Sequence, residues 1–118
     1  MALHNELGKY GEELGKCYLI EKQFTILFLN WKYGRYEIDI IASRDQVLHF
    51  VEVKTRKSER FGLPEESVDK TKFKKLLSAA EFFLHQHPEW KRVQYDILSI
   101  SFKANNQPDF FFIEDVYL

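Results

Sequence analysis

Two stretches of strand-forming residues, 36–42 (YEIDIIA) and 47–53 (VLHFVEV), stand only four residues apart, separated by the polar tetrapeptide Ser43-Arg44-Asp45-Gln46. So short a spacing leaves little choice but an antiparallel hairpin. Charges interrupt its otherwise apolar strands: Glu37 and Asp39 in the first, Glu52 and then Lys54 at the end of the second. A symmetric four-residue loop pairs Ala42 with Val47, which sets Asp39 opposite Phe50 and Glu37 opposite Glu52. Side chains alternate between faces, so Glu37, Asp39, Glu52 and Lys54 emerge on one face near one end. Asp39 and Glu52 become diagonal neighbours, roughly 7–8 Å apart at the backbone. A slip of one residue would send the two carboxylates to opposite faces, so the expectation rests on register.

Like charges gathered on a sheet repel, and something must offset them. A divalent cation held by Asp39 and Glu52 would do so, and so would Lys54 alone, as a partly buried salt bridge to Glu52 or Asp39. Oxygen ligands without cysteine support favour a hard ion, Mg2+ or Mn2+, over zinc. The chain's single cysteine, Cys17, excludes both an internal disulfide and a multi-cysteine zinc site.

Around the hairpin the order of elements reads helix, three strands, helix, two strands. Leu3, Leu7, Tyr10, Leu14, Cys17 and Tyr18 recur at three- and four-residue steps, giving an amphipathic first helix of about five turns with Cys17 as a core thiol. Gly8, Gly11 and Gly15 fall on a second stripe beside Glu12 and Leu19. Small residues there let another element approach closely, so Glu12 is expected beside a crowded contact. Residues 24–31 (FTILFLNW) make another strand. A loop follows the hairpin over residues 55–66, and Asp69 is positioned to cap a helix running to about His87 with Phe73, Leu76, Leu77, Ala80, Phe83 and Leu84 on one face. Residues 93–102 and 110–116 complete a mixed sheet. Phe110, Phe111 and Phe112 place aromatics on both faces of the last strand, which implies full burial or a subunit interface. The expected fold is α/β, one domain over residues 1–118.

Hydrophobic residues make up 45% of the 118 and aromatics 16%, enough for a packed core and too much for a disordered chain. The charged N-terminus does not read as a secretory signal, and no apolar run has membrane-spanning length, so a cytoplasmic protein with no membrane partner is expected. A net charge of −1 removes bulk attraction to nucleic acid. Local basic runs remain: Lys54, Arg56, Lys57 and Arg60, then Lys70, Lys72, Lys74 and Lys75. They suit phosphates, and equally a solvated face. Trp31 and Tyr33, with Lys32 and Arg35, suit either base stacking or edge packing. His49 faces away from Asp39, and His85 and His87 sit at a helix end, so all three are read as structural.

An acidic residue on one strand followed by Glu-x-Lys on the next resembles the PD-(D/E)xK pattern of restriction-endonuclease-like nucleases, here Asp39 and then Glu52-Val53-Lys54. Over nearly its whole length the chain resembles the YraN-like family of small bacterial proteins, which look similar to archaeal Holliday-junction resolvases. The matching segments are GKYGEELGKCYL, NWKYGRYEIDIIA, FVEVKTRKSERFG, VDKTKFKKLLSAAEFFL and QYDILSI. Tyr36 and Gly15 depart from the family's usual glycine and alanine, and neither is a presumed ligand. The resemblance implies a restriction-endonuclease-like core, a mixed five-stranded sheet flanked by two main helices. It further implies a divalent-metal-dependent endonuclease acting on DNA, with branched or recombination intermediates as substrates. In that reading Asp39 and Glu52 hold Mg2+ (or Mn2+), with the Val53 carbonyl as a candidate third ligand. Lys54 serves the attacking water, and Glu12 points into the same site. Lys72 and Arg56 meet phosphates, though each also fits an ordinary surface or ion-pair role. A homodimer would suit a two-fold DNA substrate. The alternative is a non-catalytic nucleic-acid-binding or assembly module that retains the nuclease fold.

Overall fold

The computed structural model describes residues 2–56, 70–103, 105 and 107–116, with the side chains of the first helix from Gly8 onward. The elements follow the expected order: α1 (Ala2–Glu21), β1 (Thr25–Tyr33), β2 (Tyr36–Arg44), β3 (Val47–Arg56), α2 (Lys70–Gln86), β4 (Val93–Phe102) and β5 (Pro108–Ile113). The five strands form one sheet in sequence order, antiparallel at β1/β2, β2/β3 and β4/β5. The β3/β4 pair is parallel, as a strand–helix–strand crossover through α2 requires. The fold is therefore α/β, with a mixed five-stranded sheet and two helices. The expected cap Asp69, and Lys57 and Arg60 of the first basic run, lie outside the described residues. Among the described residues no helix is long and apolar enough to cross a membrane.

The two helices cover opposite faces. Leu14, Tyr18 and Leu19 of α1 pack on Ile40, Ala42, Val51, Val53, Leu98 and Ile100. On the other face Phe73, Leu76, Ala79, Ala80 and Phe83 of α2 bury Ile38, Ile41, Leu48 and Phe50. Gly11 and Gly15 bring α1 onto the sheet, as their stripe suggested. A Cβ on Gly11 would meet Thr55 Cγ2 at 1.9 Å, and one on Gly15 would meet Leu98 Cδ2 at 3.2 Å. Cys17 does not join that core but is exposed. At 100° per residue it lies about 200° around the helix from Gly15, the residue that touches the sheet.

The hairpin register differs from the symmetric one. Arg44 pairs with Val47, Ala42 with His49 and Ile40 with Val51. The turn is thus only Asp45-Gln46, both at positive φ (53° and 65°), as a two-residue hairpin turn demands. The register moves by two residues rather than one, so the residues it pairs, Ile40 to Arg44, keep their expected faces. Extended by one step, it sets Asp39 directly across from Glu52 instead of on a diagonal.

The last strand is not buried on both faces. Phe110 and Phe112 pack against Tyr18 of α1, while Phe111 is 44% exposed. The reason is that α2 packs over β2 and β3 and does not extend to this edge of the sheet.

Candidate active site

Both β1 and β2 lose their regular alternation at one facing pair. The β1/β2 register runs Leu29 to Ile40 and then Trp31 to Ile38, skipping Asn30 and Asp39 between them. Asn30 adopts a left-handed φ of 51°, which asparagine tolerates better than most residues. On β2, Ile41 and Ile38 both reach the α2 core while Ile40 reaches the α1 core, so the strand changes face at Asp39. Such an irregularity bends the strand and re-aims a side chain.

Freed from the ladder, the Asp39 carboxylate turns toward β3. Its Oδ2 accepts the Val53 amide N–H at 2.9 Å. Burial nevertheless pushes the Asp39 carboxyl up to about 6 from an ordinary 3.8. The Val53 bond opposes that shift, while Glu12, Glu52 and Glu37 push it further upward. Glu12 is brought in from α1 and is itself held above the usual carboxylate range, first by burial. A hydrogen bond from the Asn30 side chain and the charge of Lys32 restrain it, and Glu37 adds repulsion. Four carboxylates from three elements therefore share one electrostatic neighbourhood.

The cations stand beside them. Lys54 Nζ is 3.5 Å from Glu52 Oε1, both groups about four-fifths shielded from solvent. The Lys54 ammonium is held below its ordinary range by burial first and then by Lys72, with Glu52 opposing. Lys72, at the start of α2, is thus placed against the Glu-x-Lys segment. An open groove of about 900 Å³ runs over the cluster. Glu37, Asp39 and Glu52 line it, and Arg35, Lys72 and Lys75 are among the basic residues around it. Arg56 follows two residues beyond Lys54 on the same strand and is not among the groove's lining residues.

The chemistry of the donor set suits a hard divalent cation: oxygen ligands in excess negative charge, one of them pushed up to about 6 by burial and then by its carboxylate neighbours. Among the described residues, no group of three or more His, Cys, Asp or Glu side chains could hold a metal ion. Two carboxylates, completed by backbone, water and substrate oxygens, match the way Mg2+ is usually bound.

The structure places Asp39, Glu52, Lys54, Glu12 and Lys72 in one neighbourhood, with Glu12 and Lys54 not among the groove's lining residues, and the sequence reading did not single out Asn30. Its one signal was a poor strand former inside the run FTILFLNW. His49, His85 and His87 do not line the groove. His49 Nδ1 lies 2.6 Å from Asp96 Oδ2, both groups buried. His87 stacks on Phe83, with ring centroids 4.2 Å apart, and His85 is exposed.

The model of an uncharacterised protein family, UPF0102, matches residues 11–100, a span that contains Glu12, Asp39, Glu52, Lys54 and Lys72. A UPF0102 protein of Phocaeicola vulgatus is 40% identical over 100 residues, covering 85% of this chain and 83% of its own. One from Flavobacterium psychrophilum is 37% identical over 117 residues, covering 95% and 98%. One from Clostridium perfringens is 33% identical over 116 residues, covering 97% and 95%.

Proposed function

The chain belongs to the UPF0102 family, and from its site we propose a divalent-metal-dependent nuclease of the PD-(D/E)xK, restriction-endonuclease-like type that hydrolyses phosphodiester bonds in DNA. One observation carries the reading. A half-buried Asp39, crowded by Glu12, Glu52 and Glu37, lines a groove edged with lysines. A stable fold has little reason to assemble that much like charge, whereas a site for a cation and a phosphate does. The order of an acid on β2 and Glu-x-Lys on β3, in a mixed sheet with a helix on each face, supports the superfamily assignment.

In this reading Asp39 and Glu52 hold Mg2+ or Mn2+, with the Val53 carbonyl available where the β2/β3 ladder opens. The bound ion would supply Lewis acidity toward the phosphate. The chain's own residues do the rest. The Val53 N–H fixes the Asp39 carboxylate, so its free oxygen faces the groove without rotational search. Lys54, with its ammonium destabilised by burial and Lys72, orients the attacking water and handles its proton. Lys72 binds a phosphate oxygen at the groove's edge, and Arg56 meets the backbone farther along. Glu12, anchored by Asn30, keeps the cluster electronegative enough to retain the ion. Branched or recombination intermediates remain the proposed substrates.

A second reading has its own support. The Lys54–Glu52 pair already neutralises one carboxylate without any metal, as a nucleic-acid-binding or assembly module without turnover would need. Calorimetric titration of Mg2+ or Mn2+ into wild type and an Asp39→Ala/Glu52→Ala double variant separates the two, run beside cleavage of a panel of labelled DNAs. Binding and cleavage that both vanish in the variant support the nuclease. DNA binding without metal binding or cleavage supports the module.

A further inference from the structure

An aromatic ledge continues from the groove along the β1/β2 end of the sheet. Trp31 stacks on Tyr33 (centroids 6.3 Å, planes 9° apart), and Tyr33 stacks on Phe82 of α2 (4.9 Å, 21°). Phe82 then meets Tyr36 at 5.2 Å. Tyr33 and Phe82 are 44% and 40% exposed, so the ring surface that their mutual stacking leaves uncovered meets solvent rather than core. Tyr36 and Arg35 also line the groove that holds Asp39 and Glu52. The Arg35 guanidinium sits 5.7 Å from the Tyr36 ring. Tyr36 precedes Asp39 by three strand residues, about 10 Å, so a strand with its phosphate over the carboxylates reaches the ledge within a short nucleotide step.

We infer that this ledge is a stacking platform for unpaired nucleotides flanking the phosphate at the Asp39/Glu52 cluster, which makes flapped or single-stranded DNA the preferred ligand over continuous duplex. The inference rests on the nuclease reading and names its substrate class. Flat π faces accept any base, but only a base freed from its pair can lie on them. Charge decides between this ligand and a second copy of the chain. Exposed Lys32 and Arg35 interleave with the rings, and Lys72, Lys74 and Lys75 edge the adjoining groove. A polyanion complements that pattern, whereas a two-fold self-contact would bring two copies of the same cation-bearing ledge together.

The test is fluorescence anisotropy in EDTA, using one DNA sequence as continuous duplex, as duplex with a single-stranded flap, and as single strand. Wild type should prefer the two unpaired forms. In Tyr33→Ala/Phe82→Ala that preference should fall by about tenfold or more, with the slope of affinity against salt unchanged because no phosphate contact is removed. If the alanine pair does not melt cooperatively, Tyr33→Leu/Phe82→Leu keeps the apolar contact, removes the flat faces, and should show the same loss. Absence of any preference in wild type, or equal losses on paired and unpaired DNA, overturns the platform. So does a wild-type dimer that the variant splits while DNA binding is kept. An RNA strand of the same sequence shows whether the platform discriminates sugars. Cleavage in Mg2+ is scored separately. A stacking preference in a protein that cuts nothing sinks the nuclease and leaves the platform, and cutting without the preference does the reverse.

Discussion

The Val53 amide N–H bonds to the Asp39 carboxylate at 2.9 Å. In the Arg44/Val47 register that donor would otherwise reach the Ile38 carbonyl and continue the β2/β3 ladder. A strand hydrogen bond has been replaced by one that fixes a functional side chain. The replacement leaves a partly buried carboxylate close to three others.

That burial sets a pH dependence. The Asp39 pKa is raised from 3.8 to about 6 on folding, so the native state binds this proton more tightly than the unfolded chain. The site's cost to stability is therefore absent below about pH 4, grows as pH rises, and is complete above about pH 6. It amounts to about 3 kcal/mol. Asp39→Asn keeps an acceptor for Val53 and removes the charge. In EDTA the variant should melt several degrees above wild type at pH 7.5, and the gap should close toward pH 4. Mg2+ should raise the wild-type melting temperature at pH 7.5 and leave that of the variant unchanged. Parallel melting curves across the whole pH range would show that Asp39 is not the charge the fold strains against.

Lys54 gives a kinetic prediction. Lys54→Ala should lower single-turnover cleavage by about a hundredfold or more while changing DNA affinity little, since proton handling is worth that much. Lys72 holds the Lys54 pKa down, so Lys72→Met should move the Lys54 limb of the pH–rate profile to higher pH, besides weakening binding. A limb that stays in place would mean that Lys54 is not the titrating group.

The hairpin was legible because alternation survives a two-residue change of register. A four-residue loop and a two-residue turn leave the residues from Ile40 to the turn on the same faces, and Glu37, Asp39 and Glu52 all line one groove. The change itself was hidden, since Asp45-Gln46 lacks the glycine that usually marks a turn with two positive φ values. The change of face at Asn30 and Asp39 was hidden for a different reason. It depends on two strands bending together, and a single periodicity cannot report that. In α1 the apolar stripe included Cys17, which is exposed, while Leu14 and Tyr18 of that stripe share the contact with the sheet with Gly11, Gly15 and Leu19. The glycines themselves pointed to a close approach, since a missing side chain is what permits the contact.

That contact can be tested directly. Gly11→Ala improves helix propensity by about 1 kcal/mol, yet its Cβ would overlap Thr55 Cγ2 and come within 3.2 Å of Thr55 Cβ. A β-branched side chain in a strand has little freedom to yield, so overpacking should win and the variant should lose about 1–2 kcal/mol net. Adding Thr55→Ala should recover most of that loss in a double-mutant cycle. Gly15→Ala meets only methyl tips at 3.2 Å and 3.4 Å, so it should be close to neutral by denaturant titration.

The last prediction separates the fold's buried polar pair from the site. Asp96, fully buried in β4, accepts from Gln94 Nε2 at 3.1 Å and from the Asp115 amide at 2.9 Å, besides its 2.6 Å contact with His49. Asp115 sits at a positive φ of 59°, and the next residue, Val116, donates back to the Tyr95 carbonyl. Asp96 thus ties the chain after β5 to the centre of the sheet. Asp96→Ala would leave His49 and the Asp115 amide without their acceptor, at a cost of about 3–5 kcal/mol. The pair lies outside the groove, so Mg2+ affinity measured well below the variant's melting temperature should match wild type. Lost metal binding in a variant that still melts cooperatively would mean that the two regions are coupled through β3, where His49 and Glu52 are three residues apart.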